Sequence, residues 1–105
     1  MHWLYLFAAG CFEISWAVCL KYSAGFSRPG WVVLTVIGSV LSFAFLALAM
    51  KSLPFGPSYA VWTGIGALGT AILGVILFGD AFTFTRGLAM GLILAGVILL
   101  KISVP

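Results

Sequence analysis

Apolar residues run almost unbroken from Trp3 to Leu20, from Trp31 to Met50, from Pro57 to Phe78 and from Arg86 to Lys101. At about 1.5 Å per residue the first run extends about 27 Å, close to the roughly 30 Å hydrocarbon core of a bilayer. Polar residues, proline and glycine collect between the runs, at Lys21 to Gly30, at Lys51 to Pro54 and at Gly79-Asp80. The pattern predicts four membrane-crossing helices over about 3–21, 31–50, 57–78 and 83–102, in one all-α domain covering 1–105 with no internal duplication. Pro57 suits a first helical turn, where its missing N–H would lack a partner anyway. The fourth run has only 14 uncharged residues between its flanking bases. These reach about 21 Å, so Ala81 to Thr85 are expected to lengthen the helix, with Arg86 and Lys101 snorkelling to the interfaces.

Composition turns this pattern into a class. The chain is 64% hydrophobic and 7% charged, whereas a soluble domain carries about 25% charge. It is therefore expected to be an integral membrane protein. The first run lacks a basic leader and three more follow it, so it is expected to be a retained span. The net charge of +3 forms no basic stripe, which favours contact with lipid headgroups and argues against nucleic acid. Cys11 and Cys19 share one helix about 12 Å apart, too far for a disulfide between them. With the N-terminus inside, the inner side would hold Lys51 and Lys101, and the outer side Lys21, Arg28 and Arg86. The lysine and arginine bias that normally fixes orientation is almost absent, so copies inserted both ways round could form antiparallel pairs. Such a pair would reproduce the inverted-repeat geometry that builds midplane sites in many transporters.

One charge breaks the pattern. Glu13 lies mid-run in the first helix, where an ionised side chain costs at least about 2.5 kcal/mol. The nearest base in sequence, Lys21, is about 12 Å along the axis. Glu13 must therefore be protonated, paired across a dimer, or matched by a cation from outside the chain. On a helical wheel Gly10 and Trp16 lie about 60° to either side of it, and Ala9 and Ala17 about 40°. Small neighbours such as Gly10 leave room for a ligand, while Trp16 offers an indole N–H and a face for a cation. The plain alternative is a neutral carboxylic acid that serves helix packing.

Other polar positions say less. Thr35, Ser39 and Ser42 form a weak stripe on the second helix, of a kind that often hydrogen-bonds its own helix. Tyr59, Trp62 and Thr63 cluster near the start of the third, either as interface anchors or as site lining. Gly64-Ile65-Gly66-Ala67-Leu68-Gly69 matches a dinucleotide-binding pattern, but no strand precedes it and no acid follows at about twenty residues. Its glycines fit a bend or a close helix approach better. Gly87, Gly91 and Ala95 make a small-residue ridge on the fourth helix, suited to association. His2 is terminal and no Cys/His cluster is apparent. No metal, no cofactor and no enzyme activity is expected.

Taken together, the residues Gly10-Cys11-Phe12-Glu13-Ile14-Ser15-Trp16-Ala17, Leu20 to Arg28, Lys51-Ser52-Leu53-Pro54-Phe55-Gly56 and Tyr59-Ala60-Val61-Trp62-Thr63-Gly64-Ile65-Gly66-Ala67 resemble the small multidrug resistance family of bacterial membrane transporters. Trp16 and the run Trp62 to Ala67 incline the resemblance to its guanidinium-exporting branch. What it implies is an antiparallel, dual-topology homodimer in the bacterial inner membrane, with both Glu13 carboxylates at one shared site. The two carboxylates would bind either protons or one guanidinium-type cation, so that an inward proton gradient drives the cation out. Gly10, Trp16, Ser42, Tyr59 and Trp62 would line the site, and Gly64 and Gly66 would bend the third helix. The fourth helix would dimerise through Gly87, Gly91, Ala95 and Gly96. Two other readings stand beside this one: a proton-coupled exporter of quaternary ammonium and other lipophilic cations, and a non-transporting subunit or small channel. If the pair is antiparallel, both termini should be reachable by impermeant reagents from each side of the membrane. A single orientation would rule the pair out.

Overall fold

The computed structural model describes residues 2–104. They form four helices, α1 His2–Tyr22, α2 Pro29–Met50, α3 Phe55–Phe78 and α4 Phe84–Ser103, and no strand among the described residues. Each helix is long and apolar enough to cross a membrane. Short connections turn the chain up, down, up and down. Lys21, Arg28, Asp80 and Arg86 therefore gather at one end, called here the upper end, and Lys51 and Lys101 at the other.

Local chemistry sets the helix ends. α2 begins at Pro29, ahead of the predicted Trp31, because a proline is tolerated at a helix start and holds the preceding Arg28 extended, at φ −109° and ψ 102°. α3 begins at Phe55, so Pro57 falls inside the first turn, and its first amide bond runs from Ser58 N to the Pro54 carbonyl at 3.1 Å. At α4 the expected extension is only partly made. The Thr83 hydroxyl accepts from Arg86 N at 3.1 Å and caps the helix at Phe84, so Ala81 and Phe82 stay outside it. α3 ends on Gly79 in the left-handed region at φ 68°, a conformation glycine adopts without a Cβ clash.

α1 packs against both α2 and α3, whereas α4 packs its backbone against α3 alone. The result is a slab of 44 × 34 × 17 Å. α1 and α2 approach closely at Gly38, where a Cβ would lie 2.8 Å from Trp16 Cβ and 3.4 Å from its Cα. The core is lopsided. Its buried apolar residues Leu6, Ala9, Leu46, Ala49, Val61 and Trp62 all lie at the lower end.

Inside this core sits one polar link. Ser42 Oγ donates to the Ala9 carbonyl at 2.6 Å and accepts from Trp62 Nε1 at 2.9 Å, tying together α1, α2 and α3. Lipid supplies no substitute partner for a buried indole N–H. Ser42→Ala should therefore lower stability by about 1–3 kcal/mol, the usual loss when a buried donor is stranded. In detergent melting curves, the double change Ser42→Ala with Trp62→Phe should lose clearly less than the two single losses added together. Strict additivity would mean that the link is not formed.

Candidate functional site

The middle of α1 turns Glu13 toward α3 at Gly66. A Cβ on residue 66 would overlap the Glu13 carboxyl group, so only glycine leaves this position open to the acid. Around them lies a cleft of about 200 Å³, lined by Glu13, Trp16 and Ala17 from α1 and by Thr63, Gly66, Ala67 and Thr70 from α3. Drug-sized sites usually measure about 300–1,000 Å³, so this volume suits a compact ligand. The α3 side follows spacings of three and four residues, which place those residues on one helical face.

Two buried polar atoms in the cleft's lining residues, Glu13 Oε1 and Trp16 Nε1, have no hydrogen-bond partner among the described residues. One accepts and the other donates, yet they are not bonded to each other. A buried polar group without a partner costs free energy, and more so if charged. Glu13 is the sole acid in the cleft lining. Among the described residues no three of His, Cys, Asp and Glu come together as metal ligands. The arrangement can therefore offer a carboxylate to a small cation or take up a proton, and it holds no donor set for a metal ion.

The other residues singled out from the sequence are spread around this centre. Ser42 and Trp62 do not line the cleft; they lie behind it, and their link ends on the Ala9 carbonyl. In an α-helix that carbonyl also accepts the N–H of residue 13, so the link braces the turn that carries the acid. Tyr59 is half exposed, with its ring 5.4 Å from that of Trp62. The Phe43 ring lies 5.7 Å from the same indole. Gly10 faces Ile65 of α3, and Gly64 faces Val97 of α4. On α4, Gly87 meets Phe82, Gly91 and Gly96 have nothing within 4 Å of a built Cβ, and Ala95 is exposed. Thr35 and Ser39 hydrogen-bond within their own helix, to Trp31 and Val36, as residues of that stripe often do. Ala67 and Thr70 are cleft residues that the sequence reading passed over. Their signal was the 63, 66, 67, 70 spacing on α3.

The family model described as Small Multidrug Resistance protein matches residues 1–93. A guanidinium exporter of Yersinia pseudotuberculosis is 53% identical over 103 residues, covering 98% of this chain and 99% of that protein. Guanidinium exporters of Salmonella typhimurium and Proteus vulgaris are 50% and 48% identical, again over 98% of this chain and 98% and 99% of theirs. These names are those of membrane transporters. The chain thus belongs to the small multidrug resistance family, as a four-span protein of the bacterial inner membrane.

Proposed function

We propose that two copies of this chain, inserted antiparallel, export guanidinium and small substituted guanidinium ions in exchange for protons. The observation that carries this reading is the half-buried Glu13, whose buried Oε1 has no hydrogen-bond partner among the described residues and which lines a compact cleft where Gly66 leaves it room. The names of relatives about half identical over nearly the whole chain support the substrate.

An ionised carboxylate at this depth is tolerated only when matched. Guanidinium matches it well, being planar, permanently charged and able to present paired N–H donors to two carboxylate oxygens. A proton does the same by removing the charge. The two ligands therefore compete for one group, and neither state leaves a bare anion in the membrane. If the dimer re-orients only with Glu13 matched, an inward proton gradient moves the cation outward.

Within this reading Trp16 closes the cleft beside the acid, and Gly10 permits the close approach of α3. Ser42 and Trp62 hold the Ala9 turn in place, and Tyr59 adds stacking surface at the flank. Gly64 and Gly66 let α3 bend during exchange. Gly87, Gly91, Ala95 and Gly96 of α4 meet the second copy, a role that fits the open surroundings of Gly91 and Gly96 and the exposure of Ala95, while Gly87 already contacts Phe82. The whole chain acts as one domain without enzymatic chemistry.

Liposomes containing only this protein provide the test. Guanidinium added on one side should drive proton movement on the other, whereas a tetraalkylammonium, which has no N–H donors, should drive little. Equal response to both would favour the quaternary ammonium exporter, and a cation leak without proton movement would favour a channel. Glu13→Gln should insert normally and lose coupled exchange. Gly66→Ala should also lose it, because the added methyl takes the volume of the carboxyl group. Undiminished exchange by Glu13→Gln would remove the mechanism.

A further inference from the structure

The chain contains only two carboxylates, against five lysines and arginines. Both lie on the groove between α1 and α3. Glu13 occupies the space that a side chain on Gly66 would fill, and Asp80 does the same at Gly74, where a Cβ would be 2.5 Å from its Oδ2. The two glycines are eight residues apart on α3, about 12 Å along its axis. Two clefts lie end to end between the acids and share Ala17 and Thr70. The first, of about 200 Å³, contains Glu13. The second, of about 170 Å³, is lined by Lys21, Phe78 and Asp80 at the upper end of the bundle.

We propose that this groove is the path by which the cation reaches Glu13, with Asp80 as a second cation station at its mouth and Thr70 as the polar step between the two acids. The proposal rests on the transport reading above and adds an access route to it. Three observations fit a route and not a mere crease. The lower end is closed by the packed core around Trp62, so the upper end is the direction in which the clefts continue. Thr70 supplies a hydroxyl where a cation leaving water would otherwise meet only apolar surface. Lys21 Nζ stands 5.8 Å from the Phe78 ring centroid, in the position that an arriving cation would take over an aromatic face. Lys21 thus acts as a tethered competitor, and Asp80 as the attraction that outweighs it.

This arrangement fixes the signs of two substitutions. In the liposome assay, Asp80→Asn should raise the KM for guanidinium about two- to fivefold, the scale of an exposed charge, with little change in maximal rate. Asp80→Glu should restore it. Lys21→Gln should lower KM by a similar factor. Both effects should shrink as added salt brings the screening length to a few ångström. Thr70→Val, which keeps the shape, should slow turnover, and Thr70→Ser should recover it. Changes of the same sign at Asp80 and Lys21, or effects indifferent to salt, would overturn the proposal. Should Asp80→Asn fail to insert, the Lys21→Gln shift and its salt dependence decide alone. If wild-type protein exchanges guanidinium and Glu13→Gln does not, while both mouth variants behave as wild type, the route fails and the transport reading stands. Absence of wild-type exchange would sink both.

Discussion

A carboxyl group in hydrocarbon must never be left both ionised and alone, and the rest of this molecule follows from that constraint. Water pays no part of the solvation at the depth of Glu13, so the protein has to arrange proximity, space and access for whatever neutralises it. Gly66 gives the space. The Ser42 link to the Ala9 carbonyl gives a fixed backbone turn from which the acid projects. The small cleft leaves room beside the acid for a compact ligand.

The same constraint explains the use of glycine in α3. In a membrane no hydrophobic force drives one apolar helix onto another, and close contact between small residues does much of that work. Here Gly64, Gly66 and Gly69 turn to three different neighbours, Val97 of α4, the Glu13 carboxyl and Ile14 of α1. A spacing that looks like a nucleotide-binding motif is thus a set of separate helix contacts, one of them reserved for a side-chain carboxyl group. Family membership fits this economy. About a hundred residues, four spans and one acid within a span are a small inventory.

Much of this was legible in the sequence because the signals were local. Four apolar runs implied four helices, and a single acid inside one of them marked the candidate centre. Helix ends were less legible where capping chemistry overrode the apolar pattern: the Thr83 hydroxyl stops α4 short of Ala81 and Phe82, and Pro29 starts α2 early. The link joining Ala9, Ser42 and Trp62 spans 33 and 20 residues in sequence. No periodicity reveals such a partnership, and on the wheel Ser42 looked like one member of an ordinary hydroxyl stripe. Thr70 was missed for the opposite reason. Its helical spacing from Thr63 was visible, but its importance depends on which helix lies opposite.

The uneven distribution of the core has a mechanical consequence. With Leu6, Leu46, Val61 and Trp62 packed together at the lower end, and Thr35, Gly38, Gly66 and Gly74 buried above them, the large buried apolar side chains are confined to one half of the bundle. At the upper end α1 meets α2 and α3 through aromatic rings, Tyr22 lying 4.8 Å from Trp31 and 5.0 Å from Phe78. The two ends of the bundle are therefore held differently, by interlocked apolar side chains below and by contacting aromatic rings above.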